Sequence, residues 1–259
     1  ASRGIKVALV EMQDFAAGTS SRSTKLIHEG LRYLKQLEIG LVIESGRERA
    51  IAYKNAPHLV IPEKLILPLK RGGTLDKLST SIGLWVYDVL AGVKKEDRRH
   101  MLSKKEILEL EPQLNPNGLI GGGIYAEYRT DDARLTLEVL KTASMHGASI
   151  LNYIQAQEFI YTNKNISSVI CKDHLSDKKI EIKAQVVINA SGPWVDDIRK
   201  IDKSLDNKHL HLTKGVHLVL DSSKLDINNS IYFEGEDKRM IFIIPREGKI
   251  YIGTTDTNY

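Results

Sequence analysis

The chain has 259 residues, 42% apolar and 27% charged, with a formal charge of +4. That is enough for one large or two modest folded domains, and it excludes a disordered chain. No run of 18 apolar residues is present, which excludes a membrane-spanning helix, and the lone Cys171 excludes a disulfide framework and favours a reducing, cytoplasmic setting. The mild basicity suits an anionic ligand or an anionic lipid surface, and equally well ordinary surface lysines.

Ile5 to Val10 is apolar apart from Lys6, which predicts a strand covered on both faces and ending at Glu11. "GTSSRSTKL" follows, a run of small hydroxyl residues whose N–H groups suit a pyrophosphate or ribityl chain, or else a solvated loop. Leu31, Leu34, Leu37 and Leu41 predict a helix from Leu31 to about Asn55. "HLVIPEKLILPLK" is strand-like, but Pro62 and Pro68 make it an edge strand or an extended segment. Helices are predicted at about 74–91 and 104–110, the second announced by Ser103 and Glu106 in capping-box spacing. "GLIGGG" at 118–123 reads as a structural turn leading into a strand.

"TDDARLTLEVLKTASMHGA" is a helix capped by Thr130 or Asp131 and stopped by Gly147. Four strand-like runs come next, at about 149–153, 157–162, 166–172 and 179–189, with Cys171 as a small core residue. "VVINASGPW" ends a β-branched strand in Ala190, Ser191 and Gly192, and Pro193 opens a helix. Such small residues let a ligand approach a sheet's carboxyl edge, and a tight structural turn needs the same ones. The stretch from about 210 to 253 is strand-rich.

This order predicts a mixed α/β chain, a nucleotide-binding domain with a second sheet threaded through it. Glu11 matches the acidic residue that meets a ribose hydroxyl about 20 positions beyond a Gly-rich loop. No such loop precedes it here, and both ends cut through elements, which predicts a piece of a longer chain. His28, Arg32, Tyr33, Lys214 and His217 offer imidazoles and cations to an anionic substrate. Caps and ion pairs account for "EYRTDDAR", and no metal-ligand spacing is evident.

Five ordered motifs, "VALVEMQDFAAGTSSRSTKLIHEGLRYLKQ", "EYRTDDARLT", "INASGPWVDDIR", "TKGVHLVLD" and "IPREGKIYIGTTDT", closely resemble the FAD-dependent glycerol-3-phosphate dehydrogenases and the related alpha-glycerophosphate oxidases. The resemblance spans essentially the whole chain. It implies FAD as cofactor and oxidation of sn-glycerol 3-phosphate to dihydroxyacetone phosphate by hydride transfer to flavin. Electrons then pass to quinone, or to oxygen in a soluble oxidase that makes hydrogen peroxide. Residue by residue, it implies Glu11 on the adenosine ribose and Thr19, Ser20 and Ser21 along the pyrophosphate and ribityl path. Lys25, Leu26 and His28 come nearer the isoalloxazine, with Ala190, Ser191 and Gly192 behind the cofactor. Arg32, Tyr33, Lys214 and Thr255 are implied at the substrate, and His28 and His217 as the catalytic imidazoles.

In the same terms, residues 1–70 are an incomplete FAD-binding Rossmann-like part and 71–130 lead toward an antiparallel substrate domain. Residues 131–200 return to the FAD-binding domain, and 201–259 are substrate-domain strands. The family's Gly-rich loop falls before Ala1, and its later substrate-binding Arg and Lys fall beyond Tyr259. Further expectations are peripheral attachment to the inner face of the membrane, no nucleic-acid partner, and a homodimer. The family has glycine where this chain has Glu29, and threonine where it has Ser191. A non-catalytic flavin-binding remnant is the remaining alternative, resting on Glu29 and on the missing loop.

Overall fold

The computed structural model describes residues 1–28, 38–90, 95 and 98–259. In chain order its elements begin with β1 (Ala8–Val10), β2 (Leu26–Ile27), α1 (Ile39–Asn55), β3 (Ile61–Lys70), α2 (Lys77–Leu90), β4 (His100–Leu102), α3 (Lys104–Leu110) and β5 (Leu119–Arg129). Next come α4 (Asp132–Met145), β6 (Ser149–Leu151), β7 (Ile154–Thr162), β8 (Asn165–Asp173), β9 (Lys179–Lys183) and α5 (Val195–Ile201). Six strands complete the chain: β10 (Thr213–Lys214), β11 (Leu218–Asp221), β12 (Ser230–Glu234), β13 (Met240–Arg246), β14 (Lys249–Gly253) and β15 (Thr257–Asn258). Among the described residues no helix is long and apolar enough to cross a membrane.

Two compact units result. The first takes Ala1–Ser23, Asp132–Thr213 and Asn258–Tyr259; the second takes Thr24–Asp131 and Lys214–Thr257. The chain therefore leaves the first unit at Ser23, not at residue 70, because β3 is laddered to β5 along its whole length. Residues 201–213 stay with the first unit, where Arg199 and Asp196 on α5 hold the loop through Asp206, the Lys208 carbonyl and the Leu210 N–H.

In the first unit β1 pairs in parallel with β6, and β7, β8 and β9 form an antiparallel sheet. Its core is Ile154, Phe159, Val169 and Cys171, with Ile198 and Ile201 of α5 packed against it. Burial raises the Cys171 thiol pKa, as suits a core residue. Two strand expectations change. Of the Ile5–Val10 run, Val10 packs against this core while Ile5 and Leu9 are exposed, since β6 is the only strand laddered to β1 among the described residues. Residues 186–190 join no ladder among the described residues; Val187 packs inward, and Val186 and Ile188 face out.

The second unit is built on a sheet ordered β11-β14-β13-β12-β3-β5-β2, with β4 also on β5. β3 is thus a central strand, contrary to its two prolines. They stand six residues apart, so their ring nitrogens face the same edge of the strand. That edge is met by β12 at Leu65 and Ile66 alone, between the prolines, so neither interrupts a ladder bond. The glycine run is likewise not a turn but part of β5. A Cβ on Gly122 would collide with Ile107 of α3 and come within 2.5 Å of the Leu67 carbonyl, and one on Gly123 would lie 2.8 Å from Leu84 of α2. These glycines let two helices settle onto the sheet.

One face of this sheet holds Leu65, Leu67, Leu69, Leu84, Tyr87, Tyr125, Phe242 and Ile244; the other holds Ile66, Ile107 and Leu119. The helix at 104–110 starts as expected on a Ser103–Glu106 capping box. On α1 the buried positions are Val42, Gly46 and Arg49, and the expected core residue Leu41 faces out. The reason is Arg49, whose Nη1 meets Glu127 Oε2 at 3.0 Å and the Tyr87 hydroxyl at 3.1 Å, while Tyr87 donates to Glu127 Oε1 at 2.7 Å. With the guanidinium also 4.8 Å from the Tyr128 ring centroid, the pair is fully coordinated inside the protein.

Candidate functional site

In the first unit the candidate groups are carbonyls, hydroxyls and one carboxylate. Glu11 is pinned at the end of β1 by its own N–H on the Leu151 carbonyl (2.9 Å) and by the Ile154 N–H on its carbonyl (2.8 Å). Its Oε1 accepts the Gln13 N–H at 2.8 Å, and Oε2 has no partner among the described residues. Thr19–Ser21 form one 3-10 turn, with the Thr19 and Ser20 side chains exposed. A Cβ on Gly18 would lie 3.1 Å from the Trp194 ring, so glycine lets this turn seat against the segment that follows Gly192.

That segment is organised by Asn189. Its Oδ1 accepts the Ser191 hydroxyl at 2.7 Å and its Nδ2 donates to the Val195 carbonyl at 3.0 Å. Gly192, at φ +57°, takes the left-handed turn that a side chain would disfavour. Thus Thr19–Ser21 and Ala190–Gly192 are brought together, while the Ser191 hydroxyl is engaged in holding the turn. An open carboxylate oxygen, exposed hydroxyls and a small-residue turn fit the ribose and diphosphate of a dinucleotide.

The second unit carries the imidazoles. Its sheet curls until the residues flanking β2, at one edge, meet β13 and the segment before β11. Thr24 Oγ1 lies 3.0 Å from His217 Nε2, the His28 and Phe242 ring centroids are 5.4 Å apart, and Arg246 Nη1 donates to the Thr130 carbonyl at 2.6 Å. Phe242 and Gly253 are cross-strand partners in the β13–β14 ladder, and each bears one imidazole. The His217 ring lies so close to Gly253 that a Cβ there would be 2.6 Å from its Cδ2. Phe242 is stacked in turn on Tyr232, at 4.2 Å and 19°.

Both imidazoles are biased toward the neutral form. His28 keeps an exposed ring in surroundings dense with protein, and that desolvation lowers its pKa. His217 is lowered first by burial and then by the positive charge of Lys25. Lys25 sits at φ +59°, and its carbonyl accepts the Thr130 N–H at 2.9 Å. Thr255 exchanges bonds with Val216, its Oγ1 accepting the Val216 N–H at 3.0 Å, and thereby fixes the chain just before His217. Leu26 packs on the sheet core, and Lys214 is exposed. Arg32, Tyr33 and Glu29 lie outside the described residues. Thr24, Phe242, Gly253, Asn189 and Trp194 were not singled out from sequence, although all but Phe242 fall inside the motifs quoted above.

The FAD dependent oxidoreductase (DAO) family matches residues 1–259. The aerobic glycerol-3-phosphate dehydrogenase of Staphylococcus epidermidis is 59% identical over 260 residues, covering 100% of this chain and 47% of that protein. That of Staphylococcus aureus (strain USA300) is 60% identical, covering 99% and 46%. The chain spans about half the length of the curated relatives it matches. Among solved structures, the glycerol-3-phosphate dehydrogenase from Bacillus halodurans complexed with FAD superposes with a TM-score of 0.80 at 47% identity, covering 99% of this chain and 44% of that one. The L-alpha-glycerophosphate oxidase from Mycoplasma pneumoniae shares the fold, with a TM-score of 0.69 at 17% identity, covering 97% and 66%. By a match that runs its entire length, this chain belongs to the FAD dependent oxidoreductase family.

Proposed function

We propose that this chain is the FAD-binding and part of the substrate-binding region of an enzyme that oxidises sn-glycerol 3-phosphate to dihydroxyacetone phosphate. The observation that carries the reading is the cross-strand pair Phe242–Gly253 with a neutral-biased imidazole on each member, in a chain 59% identical to an aerobic glycerol-3-phosphate dehydrogenase. FAD, when bound, supplies the hydride acceptor. Glu11 Oε2 holds the adenosine ribose, and the hydroxyls of Thr19 and Ser20 line the diphosphate and ribityl path. His28, neutral and with no hydrogen bond among the described residues, accepts the carbinol proton as the hydride leaves. His217 is held at Nε2 by Thr24, which fixes the orientation of its ring at the substrate. Lys214, together with Arg32 and Tyr33, meets the phosphate.

The acceptor is quinone, with the protein attached peripherally to the inner membrane face as a homodimer; the second reading, a soluble oxidase reducing oxygen, uses the same residues. The intact holoenzyme, mixed anaerobically with sn-glycerol 3-phosphate, should lose its flavin absorbance, and glycerol without the phosphate should leave it unchanged. Equal bleaching by both would overturn the substrate. Turnover with a quinone analogue, compared with hydrogen peroxide yield in air, separates the two acceptors.

A further inference from the structure

The outward face of α2 departs from what a surface helix carries. Leu78, Ile82, Trp85 and Val89 follow one another by four, three and four residues, so they form a single stripe, and they are 72%, 53%, 56% and 58% exposed. The inward side is already complete, with Thr80, Leu84, Tyr87 and Asp88 buried. Asp88 is the one charged residue from Leu78 through Val89, so the exposed side offers water no charge over three turns. At its start the stripe borders an open recess of about 490 Å³ lined by Lys77, Leu78, Ser81, Met101, Leu102 and Ser103.

Cations frame it. Residues 70–109 contain nine Lys and Arg against six Asp and Glu, and so hold +3 of the chain's +4. Lys77 at the start of α2 is exposed, as are Lys70, Arg71 and Arg98, the last next to Arg99, whose N–H meets Asp88 Oδ2 at 2.9 Å. Among the described residues the exposed acids nearby are engaged locally: Asp76 caps α2 through the Leu78 and Ser79 N–H groups, Glu106 closes the α3 capping box, and Glu109 pairs with Lys105. An apolar stripe with a tryptophan and a surplus of cations matches the boundary between anionic headgroups and acyl chains. A second copy would cover the stripe less well, because four side chains on one helix fall short of the roughly 800 Å² per partner of a stable dimer.

We propose that α2 is the face on which this protein lies against an anionic lipid surface, with Leu78, Ile82, Trp85 and Val89 at the headgroup–acyl boundary. It rests on the peripheral attachment named above and adds the surface that makes it. The test is co-sedimentation of the intact holoenzyme with phosphatidylglycerol–phosphatidylcholine vesicles and with phosphatidylcholine vesicles, beside glycerol 3-phosphate turnover read with a soluble dye. Anionic vesicles should capture the protein, and added salt should weaken the capture. The double variant Ile82→Asp, Trp85→Ser should bind at least tenfold more weakly while dye-linked turnover stays within twofold. No capture of the wild type, equal capture of the variant, or equal capture by neutral vesicles overturns the proposal. So does a variant that dissociates a dimer yet binds vesicles as before. A wild type that binds vesicles but turns over no substrate would count against the oxidoreductase reading and leave the docking surface standing.

Discussion

The ion pairs of the first unit sit at or near its surface: Arg199 with Asp196 and Asp206, Lys200 with Asp197, and Lys172 with Asp177 all keep solvent contact. In the second unit Arg49 and Glu127 are 3% and 2% exposed and pair with each other and with Tyr87 inside the protein. The candidate groups divide in the same way. The first unit offers a ligand backbone, hydroxyls and one open carboxylate oxygen. The second offers imidazoles held neutral by their surroundings. A site made of backbone and hydroxyls tolerates single changes, because several weak contacts share the task. One made from a desolvated base does not.

The sharpest contrast should be catalytic. His28→Ala in the intact holoenzyme is expected to lower kcat by roughly 10²–10⁴ with flavin content unchanged, the usual weight of a general base. Thr19→Ala in the first unit should cost less than about tenfold, one neutral hydrogen bond among several. Comparable losses would erase the distinction between the units.

Stability should divide next. Arg49→Ala strands the Glu127 carboxylate and is expected to cost about 3–5 kcal/mol in denaturant titration, most of it recovered by Arg49→Met with Glu127→Leu. Lys200→Ala in the first unit should cost under about 1 kcal/mol. Gly122→Ala, which drives a Cβ into Ile107 and the Leu67 carbonyl, should cost about 1–3 kcal/mol as an overpacked core does.

The smallest effect is one of pH. Because both folded imidazoles titrate below the ordinary 6.5, the acid limb of kcat/KM should fall below that pH. Their contribution to stability is fully present above 6.5 and is lost as pH falls through the lowered folded values. Lys25→Gln removes a positive charge that holds His217 down, so the limb assigned to His217 should move to higher pH. A limb that stays put would mean that His217 does not titrate in turnover.

What could be read from the sequence follows the range of the interactions. The Ser103–Glu106 box, the Gly147 stop and the turn at Gly192 are local, and their residue types announce them. The Phe242–Gly253 pair was not legible, because its meaning comes from the curl of the sheet, which joins Thr24 to a histidine 193 positions away. Nor could β3 be placed correctly. Prolines argue for an edge, and nothing local says that β12 touches only the two residues between them. Arg49 misled in the opposite sense, since a cation on the buried face of a helix hides the periodicity that apolar residues would show.

Those two prolines bear on how the chain reaches its fold during synthesis. β3 and β5 can pair as soon as residue 129 has emerged, but β12 follows a hundred residues later. Throughout that interval β3 is the open margin of a growing sheet, where another nascent chain could add a strand. Pro62 and Pro68 present no N–H on that margin, leaving only a short landing place that β12 eventually takes. Replacing both with valine should therefore leave the finished protein's thermal stability little changed while raising light scattering during refolding from dilute denaturant. Unchanged scattering would mean that the margin was never at risk.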